Sequence, residues 1–183
     1  MKHTLNKLEK KQFTALLISG ILNFIVFVSE FISGWIIHSV ILLSDSSDSF
    51  IDAISYSMAI WAIFKISKTK QTTAKIIAVV QLSCALFILL QVIFSLFSLA
   101  WFSSTTPDYF IMLIFTCFSL TVNITTVLLL MKSQGKNISI KAVFIFSSID
   151  VIANLYAIIA SLISIYWWKN NELLDSIGGI LFF

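Results

Sequence analysis

The chain has 183 residues, of which 58% are hydrophobic and only 11% are charged, and its formal net charge is +3. A soluble domain of this size carries about 25% charged residues, so the composition excludes an ordinary soluble protein. We expect an all-α polytopic membrane protein. The two cysteines, Cys84 and Cys117, lie in separate apolar stretches and are expected to be buried thiols rather than a disulfide.

Six transmembrane helices are predicted behind a cytoplasmic N-terminal segment, 1–12. Their approximate bounds are 13–35, 39–64, 76–101, 109–131, 142–168 and 173–183, with polar, basic loops at 65–75 and 132–141. At 1.5 Å per residue, the sixth helix would span only about half of a 30 Å hydrocarbon core. We therefore expect it to be short, re-entrant or truncated. No polar loop is long enough to bury a core, so no soluble domain is expected.

The lysines predict the orientation of the helices. Eleven of the twelve fall on one side of the predicted membrane, and Lys169 alone falls on the other. Because lysine-rich loops stay in the cytoplasm, the N-terminus and both basic loops are predicted to be cytoplasmic, in a bacterial inner membrane. A cleaved signal peptide is not expected, since the first apolar run is too long and lacks a small-residue cleavage site.

Three carboxylates interrupt the second segment, within the sequence LLSDSSDSFID. Asp45, Asp48 and Asp52 are spaced i, i+3, i+7 and share one helix face within about 60°. A carboxylate at the bilayer centre costs roughly 2.5–3.5 kcal/mol, so three on one face indicate a water-filled path, a proton relay or a bound cation.

The pair Asp48 and Asp52 is suited to a divalent cation, because an i, i+4 spacing aims two carboxylates at one point. A polar helix face lining an aqueous vestibule is the alternative. Asp150, in the fifth segment, lies at a depth comparable to that of Asp52, so the second and fifth helices are predicted to meet in one site. Asn154 is either an oxygen ligand or a helix-packing residue. Asp45 is a third ligand, a hydrogen-bonding group or a proton acceptor, and a structural or access role is favoured for it.

The other intramembrane polar residues are assigned more general roles. Asn23, Glu30 and Asn123 are expected in helix packing or along an aqueous path. Gln81 and Gln91 are expected to form hydrogen bonds between helices.

Residues 23–60 resemble the first two helices of the cation diffusion facilitator family. The similarity lies in an N-x6-E first helix, Asn23 to Glu30, and in a [HD]-x3-D pair, Asp48 and Asp52. Residues 146–167 are similar to the family's fifth helix, and LLDSIGGILFF resembles the start of its sixth. The chain looks like the short bacterial members that lack the C-terminal cytoplasmic domain.

The resemblance implies a divalent-metal exporter, driven by proton antiport and usually a homodimer. Zinc is the commonest cargo, and cadmium, cobalt, iron or manganese are carried less often. Asp48, Asp52 and Asp150 match the family's metal ligands, but Phe146 occupies the position of the usual histidine. Ser147, Asn154 or water could supply the missing oxygen. Such an all-oxygen site would favour harder ions such as Mn²⁺, although zinc also accepts carboxylates.

Two other functional classes compete with the transporter. Phe146 and the short sixth helix also fit a non-transporting relative or an accessory membrane subunit. An intramembrane aspartyl protease would want a GxGD-type motif, and none of the four intramembrane aspartates follows a glycine, so an enzyme is not expected. The expected partners are lipid, the transported cation and protons, with no prosthetic group and no nucleic acid.

Overall fold

The computed structural model describes residues 6–97, 108–133, 135 and 137–166, and the predicted sixth helix lies outside them. The described residues form five helices and no strand. These are α1 (Lys7–Ile37), α2 (Val40–Ile63), α3 (Ser67–Phe97), α4 (Tyr109–Met131) and α5 (Ile138–Tyr166). Three of the helices, α1, α4 and α5, are long and apolar enough to cross a membrane. α2 is of similar length but carries three aspartates between residues 45 and 52.

Helices α1 and α5 begin earlier in the sequence than the apolar pattern predicts, because each has a capping group. α1 begins at Lys7 rather than Phe13, because Asn6 accepts a hydrogen bond from the backbone N–H of Glu9 at 2.9 Å. The Glu9 carboxylate in turn accepts a hydrogen bond from the Asn6 backbone N–H at 3.0 Å, which completes a capping box. A hydrophobicity window places a helix end where apolar residues stop, whereas a cap can extend the helix into the polar interface.

The two predicted basic loops are partly helical. α3 begins at Ser67, so residues 67–75 of the first loop belong to its first turns. α5 begins at Ile138, after Asn137 accepts a hydrogen bond from the Ser139 backbone N–H at 3.1 Å. The Ser139 hydroxyl donates to the backbone carbonyl of Lys70 at 2.8 Å, which joins the starts of α3 and α5.

Helices α1 and α2 form a tight antiparallel hairpin. His38 and Ser39 alone connect them, and His38 adopts the left-handed conformation with φ 54°. The backbone N–H groups of both residues donate to the carbonyl of Gly34. This pattern satisfies carbonyl groups that a helix end leaves free.

The bundle has its polar side chains inside and much of its apolar surface outside. Glu30, Asp45 and Asp52 are buried, whereas large side chains such as Ile21 and Phe24 are exposed. This is the arrangement expected when the surrounding solvent is hydrocarbon, since polar groups must then find partners within the protein.

Two apolar clusters lie along the bundle. The first contains Leu16 of α1, Tyr56 of α2, Ile77 of α3, Leu130 of α4 and Val143 of α5, and so joins all five helices. The second contains Leu42, Tyr109, Met112 and Ala157. In the sequence of α2, the three aspartates fall between Leu42 and Tyr56. The clusters therefore hold α2 at both ends of its acidic stretch.

Two glycines of α1 allow the closeness of the hairpin to be tested. A Cβ atom at Gly34 would lie 3.0 Å from the Leu42 Cβ and 3.1 Å from the Leu43 backbone nitrogen, whereas one at Gly20 would lie 3.5 Å from the Tyr56 Cβ. Replacing glycine by alanine favours a helix by about 1 kcal/mol. At Gly34, steric overlap should cost about 1–3 kcal/mol, which offsets that gain.

We therefore expect Gly34→Ala to be less stable than Gly20→Ala. The measurement is thermal unfolding of the two purified variants in the same detergent, with the wild-type protein as reference. Equal unfolding temperatures for the two variants would contradict the close approach of α1 and α2 at Gly34.

Candidate functional site

A cavity of about 440 Å³ lies between α2, α3 and α5. Its polar lining consists of Asp48 and Asp52 of α2, Gln81 of α3 and Asp150 of α5. The volume is within the range of about 300–1,000 Å³ that is typical of small-ligand sites. The cavity is far larger than a bare metal ion requires, so it also has room for water.

The structure brings Asp48, Asp52 and Asp150 to this one cavity. Asp52 is only 2% exposed, and Asp48 and Asp150 are half-buried. The carboxyl groups of Asp52 and Asp150 are close enough to interact across the cavity. The depth argument from the sequence thus leads to the same pairing of α2 with α5 that the structure has.

The carboxylate of Asp52 is held from two sides. The Tyr56 hydroxyl, one turn along α2, donates to Asp52 Oδ2 at 2.7 Å. Gln81 of α3 donates from Nε2 to Asp52 Oδ1 at 2.9 Å. Each carboxylate oxygen keeps a further lone pair, so both hydrogen bonds are compatible with binding a cation. They fix the direction in which Asp52 points.

The contribution of α3 was not anticipated from the sequence. The sequence predicts that Gln81 forms a hydrogen bond between helices. In the structure it does so, and its partner is Asp52, a predicted metal ligand. The Gln81 Oε1 atom is buried and has no hydrogen-bond partner among the described residues. Ala78, Leu82 and Ala85 of α3 complete the same wall. An i, i+3, i+4, i+7 pattern beginning at Ala78 and including Gln81 could have indicated this face.

Tyr56 is the second functional neighbour that sequence reasoning missed. Its hydroxyl also forms a hydrogen bond with the Ser147 hydroxyl of α5, and its ring belongs to the large apolar cluster. Tyr56 is fully buried. Its i, i+4 spacing from Asp52 was the available signal, because residues at that spacing share a helix face.

The predicted substitutes for the missing histidine have different surroundings. Phe146 itself lines the cavity and offers no ligand atom. The Ser147 hydroxyl is occupied by Tyr56 and by the Val143 carbonyl, to which it donates at 3.0 Å. Asn154 donates to the Asp150 carbonyl at 2.8 Å, and its Oδ1 is buried without a partner. Neither Ser147 nor Asn154 is part of the cavity lining.

Asp45 lies away from the cavity, although it shares a helix face with Asp48 and Asp52. It is 3% exposed, and its carboxyl group faces Glu30 of α1. Among the residues that the structure describes, no three side chains of Asp, Glu, His or Cys are arranged to hold a metal ion. Ligation by Asp48, Asp52 and Asp150 would therefore require their side chains to turn towards a common point.

Comparison with known proteins identifies the kind of domain to which this cavity belongs. Residues 16–183 match the family described as the cation efflux transmembrane domain, which covers most of the chain and every residue that lines the cavity. No curated protein matches the chain.

The hydrogen bonds of Tyr56 can be tested by removing a single oxygen atom. Tyr56→Phe leaves Asp52 Oδ2 and Ser147 without that partner, and an unmet buried polar group costs about 1–3 kcal/mol. We expect the free energy of unfolding in detergent to fall by about that amount. Tyr156→Phe is the matched control, since Tyr156 on α5 is 53% exposed. A loss of stability no greater than that of the control would contradict the role of the Tyr56 hydroxyl.

Proposed function

The chain belongs to the cation diffusion facilitator (cation efflux) family, and we propose that it exports a divalent metal cation in exchange for protons. The observation that carries this proposal is the convergence of Asp48, Asp52 and Asp150 on one cavity between α2, α3 and α5. Three carboxylates provide enough charge to attract a divalent ion out of water.

Three carboxylates in one cavity also explain how a cation could be exchanged for protons. Without a cation, their mutual repulsion and their partial burial favour binding of protons. A divalent cation that enters the cavity displaces those protons, and protons arriving from the other side can displace the cation. Alternating exposure of the cavity to the two sides would convert this competition into antiport.

The metal selectivity of the proposed site depends on its oxygen-rich ligand set. Phe146 leaves the cavity without imidazole, and Gln81 presents an amide on the opposite wall. We propose that Gln81 Oε1, after rotation of the amide, supplies a fourth oxygen alongside the three carboxylates. Ser147 is less suited, because its hydroxyl is already hydrogen-bonded on both sides. Such a site favours Mn²⁺ over softer ions, with Zn²⁺ also accepted.

The distribution of lysine indicates the orientation of the chain in the membrane. We propose that the N-terminus is cytoplasmic in a bacterial inner membrane, because the N-terminal segment and the two basic loops, 65–75 and 132–141, carry eleven of the twelve lysines. Export, which the family membership suggests, would then carry the cation from the cytoplasm outward. We propose a homodimer formed by membrane helices, because members of the family are usually homodimers.

Removal of the charge of Asp52 or of Asp150 should strongly reduce export. We expect Asp52→Asn and Asp150→Asn to reduce cation transport into proteoliposomes by about tenfold or more, because affinity for a divalent ion depends on ligand charge. The assay follows uptake of Mn²⁺ and Zn²⁺ separately. Asp108→Asn is the control, since Asp108 is exposed at the start of α4 and asparagine is an equally good helix cap. Transport by both cavity variants at the wild-type rate would refute the site.

Phe146 also motivates a second candidate function, that of a relative which has lost transport. Phe146→His restores an imidazole to the cavity wall, and Phe146→Leu removes the ring without adding a ligand. If the wild-type protein transports, Phe146→His should raise its affinity for Zn²⁺ relative to Mn²⁺ by about tenfold, since imidazole suits Zn²⁺ better. Isothermal titration of the purified variants measures this ratio. Transport by Phe146→His together with none by the wild type would favour the second candidate.

A further inference from the structure

A second acidic site lies apart from the cation cavity, where α1, α2 and α4 meet. Glu30 of α1 is fully buried, Asp45 of α2 is 3% exposed, and their carboxyl groups face each other closely enough to interact. Ser49, one turn along α2 from Asp45, donates its hydroxyl to Glu30 Oε2 at 3.4 Å. Neither carboxyl group lines the cation cavity.

Among the described residues, no lysine or arginine balances this pair. The sequence has no lysine or arginine between residues 12 and 64, and none between 109 and 131, which covers the bodies of α1, α2 and α4. Two ionised carboxylates in contact inside a low-dielectric bundle would be strongly destabilising without a cation. The pair must therefore hold a positive charge.

The other ionisable groups near the pair do not supply that charge. On α4, Tyr109 is packed in the apolar cluster with Leu42, and Cys117 is exposed. On α2 and α5, Asp48 and Asp150 are further carboxyl groups that lie at the cation cavity. On the described part of α3, the ionisable side chain at that level is Cys84, which is near Asp48.

A buried hydroxyl of a third helix points to a ligand at the same place. Ser119 of α4 is fully buried and lies beside both carboxyl groups. Its Oγ, Glu30 Oε1 and Asp45 Oδ2 are all buried and lack a hydrogen-bond partner among the described residues. An ionised carboxylate can only accept hydrogen bonds, so two of them side by side lack a donor.

A proton fits this site better than a metal ion does. A proton shared by two carboxyl groups needs only one oxygen from each and forms an O–H···O⁻ hydrogen bond. A protein metal site commonly has three or four side-chain ligands, and among the described residues no third Asp, Glu, His or Cys side chain joins Glu30 and Asp45. The pair therefore suits a proton better than a metal ion.

We propose that Glu30 and Asp45 share one proton and form a proton-binding site of the exchanger, separate from the cation cavity. Binding converts one carboxylate to a carboxylic acid, whose O–H donates to the other carboxylate. Ser49 and Ser119 supply hydroxyl groups at its edge. That the pair binds a proton is independent of the proposed function, whereas its part in the exchange rests on it.

Infrared difference spectroscopy tests proton binding without any cation. A protonated carboxyl group has a carbonyl-stretch band that shifts in heavy water. Besides any band from the cavity carboxyl groups, we expect one band in the wild-type protein at neutral pH that the double variant Glu30→Gln/Asp45→Asn lacks and Asp108→Asn retains. Ser119→Ala, a milder change, should shift the frequency of the same band. If both the double variant and Ser119→Ala match the wild-type spectrum, the proton site is wrong.

Transport in proteoliposomes tests the part that the pair plays in exchange. The readout is the number of protons moved per Mn²⁺ or Zn²⁺ ion, recorded with a pH-sensitive dye and a metal indicator. The ratio should fall by about one in the double variant, because one proton is bound per pair. An unchanged ratio would overturn the role in exchange. Failure of the wild-type protein to move either metal would refute the proposed function and leave the infrared result to decide the proton site.

Discussion

The burial of carboxyl groups without basic partners is the constraint on which this structure depends. No lysine lies between residues 12 and 64, the stretch that holds Glu30, Asp45 and Asp52, and the protein has no arginine. A buried charge without a partner costs several kcal/mol. The fold meets this cost with neutral donors, as Tyr56 and Gln81 do for Asp52. The remaining negative charge must be balanced by protons or by bound cations, which is consistent with the proposed exchange.

The acidic face of α2 is directed towards two different sets of neighbouring helices. Asp48 and Asp52 face α3 and α5 across the cavity, whereas Asp45 faces α1 and contacts Glu30. The two sites are close along one rigid helix, so a movement of α2 would change both together. An exchanger needs such coupling between the cation and its counter-ion, because each must influence the binding of the other.

Much of this arrangement could be predicted from the sequence, for identifiable reasons. The helical membrane character follows from apolar runs interrupted by few charges, and membership of the family is confirmed over residues 16–183. The meeting of α2 and α5 follows from counting residues from the helix ends to Asp52 and Asp150. That these carboxylates line one cavity is a finding of the structure, whereas cation binding by them stays a prediction.

Other features could not be predicted because they depend on helix rotation and on local caps. The i, i+3, i+7 spacing put Asp45 on the same face as Asp52, yet a face about 60° wide is broad enough to meet two different helices. The role of Gln81 depends on which side of α3 turns to the cavity, and a nearly uniform apolar sequence leaves that rotation open. The early starts of α1 and α5 depend on hydrogen bonds of Asn6 and Asn137, which hydrophobicity does not report.

The most direct measurement for the central claim is a crystal structure of the protein grown with Mn²⁺, with anomalous scattering used to locate the metal. The account predicts an anomalous peak inside the cavity, coordinated by Asp48, Asp52 and Asp150. It also predicts no metal peak between Glu30 and Asp45. A peak between Glu30 and Asp45, or the absence of any peak in the cavity at saturating Mn²⁺, would contradict it.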